Sequence, residues 1–304
     1  MSQPKKQLMT AKGVYPILPT PFLEDGALDI ESIRRLIDYQ KTTGVSGVAV
    51  LGFMGEADKL SQAERSTALL TAANQANGDL DIWVGIRALG TMGAVEYAQI
   101  AEAHGASLVF VAPISVQNDN VLYDHFQQVQ QAVSIPVMIH DYPTAFNVTL
   151  SPDLIARLGK DKICPYIKLE DTPVGPKMTK VRALAGDEMG VFGGLGGFYF
   201  MEEMERGALG IASGFTFSEV LVRIYDLYTA GDYEEAAKTF DHYASLIRYE
   251  FQPGLGLAFR KHIYQRRGIF RTNVVRKPIG MALDPYTAME YERVIARCGL
   301  SLEI

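Results

Sequence analysis

Cysteine is nearly absent: Cys164 and Cys298 are the only two in 304 residues. Two cysteines in no recognisable spacing build neither a disulfide framework nor a multi-cysteine zinc site, and they fit a reducing cytosol, so a cytoplasmic protein is expected. Histidine is scarce as well. The five, at positions 104, 125, 140, 242 and 262, show no HxH or HExxH spacing, so no metal is expected, and no other cofactor either. No apolar run approaches the ~18 residues of a membrane helix, and no membrane partner is expected. The N-terminal "MSQPKKQLMTAKG" carries lysines but no apolar stretch, unlike a secretory signal. Blocks of like charge are missing too: Lys and Arg number 29 against 35 Asp and Glu, a net −6, which argues against nucleic acid as a partner.

What is present is apolar material for a large core, 48% of the residues, arranged in short runs that alternate with amphipathic stretches. The runs are residues 14–22, 45–53, 81–87, 107–113, 135–143, 164–171, 189–194 and 207–213. Helical patterns follow them at about 29–44, 62–77, 91–104, 120–132, 151–159, 175–186, 197–206 and 217–229. The runs are β-branched and apolar throughout, as strands buried on both faces are. Strands alternating with helices imply βαβ units and a parallel sheet. Eight such units predict an α/β protein, a TIM (β/α)8 barrel over residues 1–229. From residue 230 to 304 the pattern is helical only. "GDYEEAAKTFDHYASLI" begins with Asp232 as an N-cap and Glu235 three residues on, a capping box, and further helices are expected near 254–266 and 286–298.

One residue does not suit a buried strand. "CPYIKLED" (164–171) ends the sixth run and contains Lys168. Alternation puts Tyr166 and Lys168 on one face, and Ile167 and Leu169 on the other. In a TIM barrel the active-site groups stand at the C-terminal ends of the strands. If the first face points inward, an amine enters a low-dielectric cavity. Burial disfavours the charged form of an amine, and a neutral amine attacks carbonyls to give a Schiff base. The alternative is that Lys168 pairs with Glu170 or Asp171 at the barrel rim.

"PTPF" (19–22), "GFMGEADKLS" (52–61) and "YIKLED" (166–171) together resemble the dihydrodipicolinate synthase / N-acetylneuraminate lyase family of class I pyruvate aldolases, from about Gly13 to Leu300. The resemblance implies that Lys168 forms a Schiff base with a 2-oxo acid, pyruvate or a sugar-acid derivative. It implies a substrate site built from Thr20, Gly52, Phe53, Met54, Gly55, Gly194 and Ala212, with the substrate carboxylate on backbone N–H groups of the 52–55 loop. It also implies a homo-oligomer, a tetramer or dimer.

Departures from the family pattern narrow the reading. Its hydroxyl-bearing residues after Gly52 are here Phe53 and Met54. Its strand-five tyrosine is replaced by His140 in "HDYP", with Tyr142 two residues on; both are candidates for acid–base work, and imidazole ordinarily titrates near neutrality. Ala145 stands where the true synthase has an arginine for its second substrate's carboxylate, so synthase activity is not expected. "PISVQ" lacks the aromatic pair that supports the usual dimer contact. "GGLGG" (193–197) replaces an acidic loop, and its glycines are expected to let backbone approach a hydroxylated substrate. "IHDYP", "YIKLED" and the tail at 255–278 bring the chain nearer the 2-keto-3-deoxy sugar acid dehydratases. The expected function is a Schiff-base lyase that cleaves or forms an aldol with pyruvate, or dehydrates a 2-keto-3-deoxy sugar acid. The alternatives are synthase-type pyruvate condensation and a non-catalytic 2-oxo-acid-binding homologue.

Overall fold

The computed structural model describes residues 11–278 and 281–302; the start of the N-terminal segment read above against a secretory signal lies outside them. Eight parallel strands form the sheet: β1 (Gly13–Pro16), β2 (Gly47–Val50), β3 (Asp81–Ile86), β4 (Leu108–Val111), β5 (Val137–Asp141), β6 (Tyr166–Leu169), β7 (Gly190–Gly193) and β8 (Gly210–Ser213). Their order is β1-β8-β7-β6-β5-β4-β3-β2. The ends meet where Ser46 N–H donates to the Val14 carbonyl at 3.1 Å and Leu18 N–H to the Ala49 carbonyl at 2.8 Å. This is the barrel that the alternating pattern predicts.

The helices follow in chain order: α1 (Ile30–Thr42), α2 (Gln62–Ala76), α3 (Thr91–Ala103), α4 (Asp119–Ala132), the single turn α5 (Pro143–Phe146), α6 (Pro152–Lys160), α7 (Val174–Ala185), α8 (Phe200–Glu205), α9 (Ser218–Thr229), α10 (Tyr233–Glu250), α11 (Gly256–Arg266) and α12 (Pro285–Arg297). Their starts carry the expected signals. Ser61 and Glu64 make a reciprocal capping box on α2, and Asp29 caps α1. Asp232 accepts from Glu235 N–H as expected, but the Glu235 carboxylate faces Arg223 at 3.8 Å, across to α9, instead of closing a box.

Strand alternation sorts the core into two layers. Val, Ile and Leu side chains face outward to the helices. Tyr15, Trp83, Phe110, Met138, Tyr166 and Phe192 fill the barrel interior. Tyr15 stacks on Trp83 with centroids 3.5 Å apart, and Phe192 meets the Trp83 face edge-on at 5.1 Å. The interior is therefore plugged by aromatic rings up to the level of Met138 and Tyr166. The next inward positions, His140 and Lys168, stand above the plug at the C-terminal mouth.

A buried charge network ties the loop after β2 to the chain end. Glu56 adopts left-handed backbone (φ 53°), which an ordinary residue holds only when its surroundings fix it. Its carboxylate meets Lys261 Nζ at 2.5 Å and Lys59 Nζ at 2.7 Å, and accepts from Arg276 N–H at 3.0 Å. Lys261 is fully buried, and burial pushes it down to about 8 even with Glu56 beside it. Removing one partner of such a pair leaves an uncompensated buried charge, so Glu56→Ala is expected to cost about 3–5 kcal/mol. Denaturant unfolding of the two proteins checks this; a loss under ~1 kcal/mol would mean that water or relaxation rescues Lys261.

Candidate active site

The mouth of the barrel opens as a cleft with about 470 Å³ of empty space, open solvent included. The β5–β6 register places His140 directly opposite Lys168. Both side chains point inward, as alternation required, because Tyr166 and Met138 two residues earlier belong to the interior layer. Glu170, two residues beyond Lys168, shares its face. Lys168 is 5% exposed, His140 4% and Glu170 6%, so the three groups must satisfy one another.

They do so through one oxygen. Glu170 Oε2 takes an ion pair from Lys168 Nζ and a 2.9 Å hydrogen bond from His140 Nε2, and Nζ lies 3.3 Å from the same imidazole nitrogen. Glu170 Oε1 accepts from Leu195 N–H at 2.7 Å. Burial pushes the Glu170 carboxyl up, but the Lys168 ammonium and the His140 bond outweigh it and hold the group at about 2. Burial, and next the Lys168 charge, push His140 down to about 4. The imidazole is therefore neutral at pH 7 and does not titrate near neutrality as a free histidine would. Lys168 is paired with Glu170, as one reading expected, but in a cleft rather than at an outer rim. Asp171 instead pairs with Lys177, which also meets Asp141 at 2.7 Å behind the strand.

Aromatic rings enclose the trio. His140 lies edge-on to Phe110 at 5.4 Å and to Phe146 at 4.9 Å, and is near-parallel to Tyr142 at 6.3 Å. Tyr142 lines the cleft, and burial, then the Glu170 charge, raise its phenol, so it stays protonated at neutral pH. Phe53, half exposed, meets Tyr142 edge-on and stands at the entrance.

Of the residues expected to bind substrate, Phe53 and Met54 line the cleft. The others stand behind it. Thr20 donates to the Gly55 carbonyl at 2.6 Å and so shapes the loop. Gly52 is packed against Ile17 and Phe110, where a Cβ would come within 3.0 Å of both. Ala212 belongs to the interior plug. The glycines of 193–197, expected to let backbone approach a substrate, divide: Gly196 lines the cleft, whereas Gly193 and Gly194 face protein carboxylates. A Cβ on Gly193 would lie 1.7 Å from Glu203 Oε2, and one on Gly194 2.5 Å from Glu170 Cγ, so protein carboxylates fill that space. Only Gly196 of the loop reaches the cleft wall, beside Phe251. Of the wall residues that the sequence did not point to, Ile17, Phe110 and Gly214 come from the barrel, and Phe251 and Arg260 come from the helical extension. Among the described residues no group of three or more His, Cys, Asp or Glu side chains is placed to hold a metal ion, and no helix is long and apolar enough to cross a membrane.

Glu203 lies behind the loop, 2% exposed, with Oε1 3.5 Å from Gly194 N–H and Oε2 without a hydrogen-bond partner. Burial pushes its carboxyl up to about 8, the Gly194 N–H opposing. The folded protein then keeps a proton that the unfolded chain releases near the ordinary carboxylate value. Its contribution is fully present in acid and is lost as pH rises toward about 8, at up to about 1.4 kcal/mol per pH unit. Glu203→Gln is expected to flatten the fall in stability between about pH 5 and about pH 8. Chemical unfolding at several pH values checks this; identical slopes in the two proteins would mean that Glu203 is ionised in the fold.

Comparison with known proteins agrees with this geometry. Residues 10–294 match the Dihydrodipicolinate synthetase family. The chain is 30% identical over 231 residues to a 4-hydroxy-tetrahydrodipicolinate synthase of Pelobacter propionicus, covering 75% of this chain and 79% of that protein. It is 24% identical over 294 residues to the L-2-keto-3-deoxyarabonate dehydratase of Azospirillum brasilense, covering 94% of each. A crystal structure of dihydrodipicolinate synthase from Rhodopseudomonas palustris superposes with a TM-score of 0.89 at 34% identity, over 94% of this chain and 97% of that one. With a barrel of the same architecture and a match over nearly its whole length, the chain belongs to the dihydrodipicolinate synthetase family and is an enzyme, a lyase of that family.

Proposed function

We propose that this enzyme acts on a 2-oxo acid through a Schiff base at Lys168, and that it cleaves an aldol to release pyruvate or dehydrates a 2-keto-3-deoxy sugar acid. The observation that carries this is the buried Nζ at the end of β6, held in a cleft between a carboxylate and an imidazole. Nζ, after giving a proton to Glu170 or His140, attacks C2 of the substrate, and that proton returns to the C2 oxygen as it leaves. Loss of water leaves a protonated imine, which draws electrons from C3 far better than a ketone does. In dehydration a base takes a C3 proton and the C4 hydroxyl leaves as water with a proton from an acid. In aldol cleavage the base takes the C4 hydroxyl proton and the C3–C4 bond breaks. Glu170, ionised at neutral pH, is the base nearest Nζ. His140 passes protons between the two, and the protonated phenol of Tyr142 is the donor.

Synthase-type condensation of pyruvate is a second reading, favoured by the name of the Pelobacter propionicus relative. Ala145, a methyl group in the turn after Tyr142, weighs against it. The Azospirillum brasilense relative, matched over nearly all of both chains, supports the dehydratase reading. The active protein is proposed to be a cytoplasmic homo-oligomer, a dimer or tetramer, as the resemblance implied.

Borohydride added with pyruvate is expected to leave one stable adduct on Lys168, located by peptide mass spectrometry, and Lys168→Ala is expected to lose adduct and turnover together. An adduct elsewhere, or none, would favour the non-catalytic homologue. The acid–base assignment gives a second expectation. His140→Ala and Glu170→Gln should each lower kcat by about 10²–10⁴-fold, the usual worth of a positioned acid or base, while slow trapping on Lys168 survives. The acid limb of kcat/KM should lie near pH 4, where His140 takes up a proton, and not near neutrality. Wild-type turnover in His140→Ala, with none in Tyr142→Phe, would make the histidine structural.

A further inference from the structure

Arg260 is the one cleft residue for which neither the mechanism above nor the rest of the fold provides a full set of partners. It lies on α11, is 4% exposed and lines the same cleft as Lys168. Nε donates to the Gly214 carbonyl and Nη1 lies 3.3 Å from Met54 Sδ. Neither acceptor is charged. The Glu250 carboxyl, also buried, feels the Arg260 charge, but burial pushes it up against that charge and its oxygens accept from the Tyr291 hydroxyl and, at 3.0 Å, from Thr216 N–H. Among the described residues no carboxylate makes an ion pair with the guanidinium. Two glycines make the space it occupies. A Cβ on Gly256 would lie 2.6 Å from Nη1, and one on Gly214 3.0 Å from Nε. A buried cation that is hydrogen-bonded only to a carbonyl and a thioether is costly unless an anion joins it.

The charge of the cleft says what that anion is. Lys168 and Glu170 balance each other, before and after a protonated imine replaces the ammonium, while the Arg260 guanidinium stands at the cleft wall without an ion-pair partner. Every 2-oxo acid brings one carboxylate, on the carbon next to the one that Lys168 attacks. The wall at Met54, on which Nη1 rests, has lost the hydroxyl side chains expected there. From these observations, and resting on the Schiff-base reading, we infer that Arg260 binds the C1 carboxylate of the 2-oxo acid, a role carried by the helical extension in place of side-chain hydroxyls of the 52–55 loop. Guanidinium suits this because its parallel N–H groups match a carboxylate fork.

The test compares pyruvate with pyruvamide, which has the same shape and reactive carbonyl but no charge. In the full-length wild type, borohydride trapping on Lys168 is expected to be about 10- to 100-fold faster with pyruvate, the worth of a charge-assisted pair. In Arg260→Met the two probes should react at similar rates, and in Arg260→Lys part of the preference should return. A wild-type preference in Arg260→Met overturns the inference, as does an equal loss with both probes, which a merely structural arginine would give. If Arg260→Met fails to fold, the preference of Arg260→Lys decides, and an undiminished value overturns the inference. Should the wild type trap neither probe, the Schiff-base reading fails separately. Calorimetric binding of pyruvate against pyruvamide to Lys168→Ala, with and without Arg260→Met, then still reads the arginine: the preference is expected only where Arg260 remains, and its persistence without Arg260 overturns the proposal.

Discussion

One carboxylate oxygen organises the mouth of this barrel. Glu170 Oε2 takes both the Lys168 ammonium and the His140 imidazole, and the geometry that lets it do so is set by backbone register alone. Residues i and i+2 of a strand share a face, so Lys168 and Glu170 project together; parallel pairing puts His140 across from Lys168. A lysine in so dry a place is tolerable only with such a partner, and breaking a buried pair of this kind leaves a charge that nothing nearby can neutralise. The second oxygen of Glu170 reaches Leu195 N–H and fixes the loop after β7. That loop can be tight only because Gly193 and Gly194 have no side chain where Glu203 and Glu170 lie.

The trio is embedded in a rim of further ion pairs that face away from the cleft. Asp141 follows His140 in sequence and so points outward, where Lys177 of α7 binds it and Asp171 together. This bridge fastens the end of β5 to the segment just past β6. Burial pushes Asp141 up to about 6, with Lys177 opposing, so its ionisation depends on that lysine staying in place. On the far side of the mouth, Glu56 does the same for the loop after β2, joining Lys59, Lys261 and the backbone of Arg276. The loops after β2 and β5 are thus held by charge pairs outside the cleft, whereas the loop after β7 is held by Glu170 of the trio itself.

The fold was legible in the sequence because a parallel barrel writes itself in short local signals. Eight apolar runs with capped helices between them need no long-range information, and alternation puts Tyr166 and Lys168 on one face, which the structure turns inward. The candidate site was legible only along the strands. Lys168, His140 and Tyr142 could be named because period two gives each strand's shared faces and the family resemblance marks the strand ends that carry the site. The behaviour of His140 could not, since its drop to about 4 comes from burial and from an ammonium 28 residues away in sequence. The 193–197 loop was legible only in part for a similar reason. Its glycines signal close approach, but what approaches, Glu170 and Glu203, is fixed only by tertiary packing. Phe251 and Arg260 left no trace at all: in a helical tail, an arginine among "LGLAFRKH" looks like any solvated charge.

That tail shows how neighbouring residues on one helix can serve different ends. Arg260 and Lys261 are adjacent on α11, both cationic, and both all but fully buried. Lys261 is answered within the protein, by the Glu56 carboxylate and the Val274 carbonyl at 2.7 Å. Arg260 is answered by a carbonyl and a sulfur. The burial cost of the two cations is comparable, so the difference lies in where the compensating charge resides. For Lys261 it belongs to the fold, and the pair locks α11 against the 52–60 loop. That lock in turn holds Arg260 against Met54, at the one place in the cleft wall where a positive charge is left open to an incoming molecule.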